Sequence, residues 1–165
     1  MNYQHNYELD EEYPQLELFS EIKPNLFMGG TDDLDTIFTY LDREPSPLPF
    51  DTIATMYAWA RPATWKIQEV RYAFPDSTID HIDLKRLRSL VDFTYQQWKE
   101  GDRVLVRCQA GLNRSGLVTA LLLIKDDLSP SSAIELIRVK RSSDALFNRH
   151  YSNWLIKHGE DFIKL

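Results

Sequence analysis

Apolar residues follow two rhythms along this chain. Short alternating or continuous apolar runs read as strands at residues 16–22 and 25–29, with a turn at Pro24 and Asn25 between them, and at 51–56, 67–74 and 103–107. Elsewhere apolar positions recur every three or four residues. Thr31 is placed to cap a helix to about residue 43, with Leu34, Ile37, Phe38 and Leu41 on one face. From Asp83 to about Glu100, the residues Leu84, Leu87, Val91, Thr94 and Trp98 share a face, and Gly101 ends the helix. Residues 114–126 form a strongly apolar helix. Ser129 followed by Pro130 opens another, to about residue 141, and 148–163 reads as the last. The proline-rich stretch 44–49, the aromatic-rich stretch 57–65 and residues 141–147 read as loops. Strands alternating with helices, followed by several helices, predict an α/β domain with a mainly parallel central sheet flanked by helices.

Composition changes this picture little. The 165 residues, 43% apolar and 27% charged, suit a soluble domain with a sizeable core. The apolar run at 117–124 is too short to span a bilayer, and the first residues lack the basic and apolar regions of a secretory signal. A single cysteine excludes an internal disulfide and suits a reducing compartment, so a cytoplasmic protein is expected. Charge is more telling. Residues 1–21 hold six acids and no Lys or Arg, so the remaining 19 acids face 19 basic residues. This divides the chain into an acidic, flexible tail at 1–14 and a near-neutral domain at 15–165. The tail is either simply solvated or folds over a basic site. No broad basic surface suggests duplex nucleic acid, and the four scattered histidines show no metal-ligand spacing.

The chemistry concentrates at VLVRCQAGLNRSG, residues 104–116. The lone cysteine, Cys108, stands where a buried strand ends, and Arg114 follows where a helix begins. A loop in that position points its amides, those of Gln109, Ala110, Gly111, Leu112, Asn113 and Arg114, into one concavity. With the helix dipole, that concavity favours a bound dianion. Gly111 lets the backbone turn. Arg114 is able to grip two phosphate oxygens in a fork. The same positive field favours a thiolate at Cys108, and Ser115 is placed to donate a hydrogen bond to that sulfur as it leaves.

This segment resembles the signature of the protein tyrosine phosphatase superfamily, specifically its small dual-specificity branch. LFSEIKPNLFMGG resembles the opening strands of that branch, YAFPDSTIDHID its general-acid loop, and the segment from Ser129 to Asn148 its downstream helix and loop. The resemblance covers most of the chain from about Leu16. It implies the cysteine-dependent phosphatase fold and hydrolysis of phosphate monoesters through a phosphocysteine, with no metal or cofactor. Cys108 would be the nucleophile, Arg114 and the loop amides the phosphoryl grip, and Ser115 the hydroxyl that assists the sulfur. The family's general acid is an aspartate about thirty residues upstream. Asp76 matches that position, whereas Asp83 suits a helix cap and Asp80 the surface. The expected partner is a phosphorylated protein carrying phosphotyrosine or phosphoserine/threonine. An RNA 5′ phosphate is the alternative, because Asn113 also precedes the arginine in RNA-directed members. A phosphatase-like module that binds without turnover is a further reading, as is sulfur transfer by a rhodanese-like loop.

One departure stands out. The family usually has histidine before the cysteine; this chain has Arg107. Alternation along a strand aims Arg107 away from the phosphate, where it either pairs with a carboxylate and braces the loop or simply packs. Asn113 is expected to hydrogen-bond neighbouring backbone. Arg138, Lys140 and Arg141 read as complements to a helix C-terminus and solvent, or as a seat for a second phosphate. Asn148 reads as a loop-steadying residue or a helix cap. Tyr57, Trp59 and Trp65 read as packing, or as the rim of the cleft.

Overall fold

The structure is a computed structural model that describes residues 16–31 and 49–165. The acidic tail at 1–14, the helix expected at 31–43 and most of the 44–49 breaker lie outside the described residues. Among the described residues, five strands form one sheet: β1 (Phe19–Lys23), β2 (Leu26–Gly29), β3 (Thr52–Thr55), β4 (Gln68–Arg71) and β5 (Val104–Arg107). Their order is β1-β2-β5-β3-β4. β1 runs antiparallel to β2 across the tight turn at Asn25, whose φ is 65°, and every other pairing is parallel. β2, β3 and β5 are buried at every position, as interior strands of a parallel sheet should be. β4 is the half-exposed edge, and it is shorter than the apolar run at 67–74 suggested.

Among the described residues, four α-helices follow the capping signals. α1 (Leu84–Lys99) starts at Asp83, whose carboxylate accepts from the amides of Lys85 and Arg86, and it ends at Gly101. α2 (Arg114–Lys125) is buried from Ser115 to Ile124 and forms the centre of the helical layer. α3 (Pro130–Lys140) begins with the Ser129 cap, and α4 (Arg149–Lys164) with the Asn148 cap. The main core joins residues from all four helices to Leu26, Met28, Ala54, Val104 and Val106 of the sheet and to Cys108 just beyond it. The opposite sheet face, bearing Phe27, Ile53 and Leu105, packs against Phe50, Ala63 and Ile67. Among the described residues, therefore, the helices cover one face. No described helix is long and apolar enough to cross a membrane.

This layering sets up the site. β5 is the central strand, and its carboxyl end feeds directly into the amino end of the buried helix α2. Open parallel sheets bind ligands at that position.

Candidate active site

Cys108 is buried at the end of β5, with its sulfur 3.3 Å from the Ser115 hydroxyl. The loop behind it is held by its carbonyls. Thr31 donates its amide to the Gln109 carbonyl at 2.8 Å, and the Leu146 amide donates to Leu112 at 3.0 Å. Arg141 donates to Gly111 at 3.1 Å and to Ala110 at 3.5 Å. With the carbonyls turned outward, the amides of 109–114 take no acceptor among the described residues. Asn113 stands at the cap position of α2, yet its side chain does not cap. The first-turn amides of α2 thus stay open to an anion.

Steric fit makes the loop this tight. Gly111 has φ +74°, and a Cβ there would fall 2.5 Å from the Gly29 carbonyl carbon and 2.6 Å from the Gly30 nitrogen. A Cβ on Gly30 would in turn lie 2.6 Å from the Gln109 carbonyl oxygen. The two stretches of backbone therefore touch directly, with no room for a side chain at either glycine.

Arg114 reaches back over the loop. Its Nη1 donates to the Phe74 carbonyl at 3.3 Å, and its guanidinium lies 5.4 Å from the centre of the Tyr57 ring. Its Nε is buried and has no hydrogen-bond partner among the described residues. A buried guanidinium N–H without an acceptor is costly unless an oxyanion completes it.

Asp76 sits on the rim, exposed, 32 positions before Cys108. Asn113 Nδ2 donates to its Oδ2 at 2.9 Å, and Asn148 Nδ2 donates to its Oδ1 at 2.7 Å. Tyr151 grips the flanking backbone: its hydroxyl donates to the Pro75 carbonyl at 2.8 Å and accepts from the Ser77 amide at 3.4 Å. Burial pushes the Tyr151 hydroxyl up to about 12, with the charges of Asp76 and Cys108 adding to the effect, so it holds this loop as a neutral phenol. Asp83 caps α1 and Asp80 is exposed on the short 3-10 turn Ile79–His81, so neither takes the place of Asp76 in this network.

Arg107 lies on the sheet face opposite Cys108. It is fully buried; it donates to Glu69 Oε2 at 3.0 Å, Thr55 Oγ1 at 3.0 Å and the Arg61 carbonyl at 2.8 Å. It pairs with a carboxylate and does not merely pack. Burial raises the Glu69 carboxyl, but the hydrogen bonds of Arg71 and Thr55 and the charges of Arg107 and Arg71 outweigh burial and hold it below its ordinary value.

Three expectations require correction. Asn113 does not bond neighbouring backbone: its Nδ2 goes to Asp76, and its Oδ1 accepts from the distant Asn148 amide at 2.9 Å. Its backbone is already near-helical, which directs the side chain across the cleft. Arg141 is not solvated. It is only 6% exposed and links the loop carbonyls to the Glu17 carbonyl and the Ser20 hydroxyl, while Arg138 donates to the Ala145 and Leu146 carbonyls. Burial works against the charge of Arg141 and lowers its affinity for the proton. Finally, Trp59 and Trp65 are not packed inside: they are 83% and 70% exposed. Asn148 fulfils both of its readings, capping α4 through the His150 amide while holding Asp76 and the Ser77 carbonyl. The sequence does not assign Tyr151 to the site, and it reads Arg141 as a solvated complement or a seat for a second phosphate, not as the brace of the loop.

Two clefts flank the loop. One, of about 320 Å³, is lined by Tyr57, Ala58, Trp59, Ala73, Phe74, Pro75 and Arg114. The other, of about 390 Å³, includes Asp76, Asn113, Phe147 and Asn148. Larger hollows lie between α3 and α4 and beside β4 and α1, away from Cys108.

Residues 52–161 match the family described as dual specificity phosphatase, catalytic domain. No curated protein matches the chain. Solved structures with the same fold include Tk-PTP in its active form (19% identity, TM-score 0.68, 89% of this chain and 99% of that one). Human DUSP28 aligns at 17% identity and TM-score 0.67, over 88% of this chain and 97% of that one. The human tyrosine phosphatase-like serine/threonine/tyrosine-interacting protein aligns at 14% identity and TM-score 0.70, with the same coverage.

Proposed function

Because the chain belongs to the dual-specificity phosphatase catalytic-domain family, we propose that it hydrolyses phosphate monoesters on proteins through a phosphocysteine, without a metal. The observation that carries this reading is the unpartnered, buried Nε of Arg114, beside six open loop amides and the Cys108 sulfur. That is a seat for a tetrahedral dianion with a nucleophile at its base.

The steps follow from these positions. The Cys108 thiolate attacks phosphorus while Asp76 donates a proton to the departing oxygen, so the P–O bond breaks as the P–S bond forms. Asp76, now a carboxylate, accepts a proton from water. That water attacks phosphorus, the P–S bond breaks, and phosphate and the thiolate are regenerated. Ser115 donates its hydroxyl hydrogen to the sulfur as it leaves. Arg114 and the amides hold the three equatorial oxygens throughout. Arg107 supports the strand from the far face and touches none of these atoms.

Hydrolysis of p-nitrophenyl phosphate with chelator and reductant present, wild type beside Cys108→Ser, tests the reading. Turnover that survives chelation and disappears in the variant is the expected result. Turnover that persists in Cys108→Ser would overturn it.

A further inference from the structure

We propose that Tyr57 and Trp59 form a wall that receives the ring of an aryl phosphate, selecting phosphotyrosine side chains over phosphoserine and phosphothreonine. The inference rests on the phosphatase reading above and narrows its substrate.

In a phosphotyrosine the ring is bonded directly to the bridging oxygen. With the phosphoryl group seated on the loop amides and Arg114, the ring must lie at the mouth, within a ring's width of Arg114. Tyr57 already stacks on that guanidinium at 5.4 Å, and Trp59 lines the same cleft. Apart from Arg114, that cleft is lined by apolar and aromatic residues. Trp59 leaves 83% of its surface to solvent. Burying an indole against a flat apolar partner gains both area and stacking.

The wall is also fixed in place. Arg107 donates to the Arg61 carbonyl, Arg71 donates to the Ala60 carbonyl at 2.8 Å, and Glu69 accepts from the Ala63 amide at 3.2 Å. These three side chains lie on β4 and β5 and fasten the segment carrying Trp59 from beneath. A preorganised wall loses little freedom on binding. A serine phosphate has one methylene where tyrosine has a ring, so it offers Trp59 no face. The 5′ end of an RNA places a ribose between phosphate and base, which carries its ring past Tyr57.

The test compares one peptide sequence bearing phosphotyrosine or phosphoserine. Wild type, Trp59→Ala, Trp59→Phe and Trp65→Ala are assayed on both. Taking the ratio between variants cancels the intrinsic reactivity of the two esters. Trp59→Ala should lower kcat/KM for the phosphotyrosine peptide by about tenfold, chiefly through KM, and change the phosphoserine peptide less than twofold. Trp59→Phe should retain most of the selectivity, and Trp65→Ala all of it. Equal losses on both peptides, no loss, or a larger loss on a 5′-phosphorylated RNA would overturn the proposal. If wild type turns over none of the esters, the phosphatase reading fails instead. The wall is then judged by phosphotyrosine-peptide binding to Cys108→Ser with and without Trp59→Ala, where unchanged affinity overturns it.

Discussion

Asn113 Nδ2 donates to Asp76 Oδ2 across 2.9 Å, joining the loop residue beside Arg114 to the carboxylate on the opposite rim. The bond fixes the distance between the proposed acid and the seat of the phosphoryl group. Asn113→Ala should therefore act through Asp76. On a phosphoserine peptide, whose leaving group needs its proton, kcat should fall by about tenfold; p-nitrophenyl phosphate should be far less affected. Asp76→Asn should show the same pattern at about a hundredfold. A steady-state series over leaving groups checks both, and equal losses across the series would contradict the acid role.

Arg114→Lys keeps the charge and removes the fork. It should lower kcat/KM by about a hundredfold while the fold is retained, because a point charge cannot hold two equatorial oxygens in register. Vanadate affinity, measured by titration, should weaken in parallel. Cys108→Ser should abolish turnover and leave phosphate-ester binding in place.

Arg141→Met removes the donors that tie the 110 and 111 carbonyls to Glu17 and Ser20. The buried Gly111 carbonyl and the part-buried contacts to Ala110 and Glu17 are lost at once, so urea unfolding should show a loss of about 2 kcal/mol. Phosphate binding should weaken as well, since the amides no longer converge.

Glu69 gives the pH dependence. Its carboxyl is held below the ordinary value of 4.5, so the stability it contributes is present above that value and lost as pH falls through the lower folded value. Acid unfolding of wild type should accordingly steepen below about pH 4. Glu69→Gln should flatten that limb and cost about 3 kcal/mol at neutral pH, because the buried Arg107–Glu69 ion pair is broken. Thermal denaturation across pH, for both proteins, provides the check.

What could be read in advance was whatever depended on neighbours in sequence. The Cys108–Arg114 loop needs its residues at fixed local spacing, and the caps at Asp83, Ser129 and Pro130 act within one turn, so all of these were visible. The direction of Arg107 followed from strand alternation. Its partner did not, because nothing local distinguishes Glu69 from the other acids. The roles of Arg141 and Tyr151 were missed for the same reason: each residue lies on a helix or at its end, indistinguishable from residues that pack or face solvent, until folding brings it against a loop far earlier in the chain. Trp59 was misjudged because aromatic side chains most often pack inward, and only the arrangement of the strand ends leaves this one outside.

The contact between Gly30 and residues 109–111 has a consequence for transplantation. Two pieces of backbone from distant parts of the chain are moulded against each other with no side chain between them. The signature loop is thus not a portable cassette. Grafted onto another strand–helix junction, it would lack the bare ledge that shapes its outer side, and its amides would splay. A graft that also carries the MGG ledge at the end of β2 should restore the curvature. In this chain the unit of inheritance for phosphate binding is the loop together with its ledge.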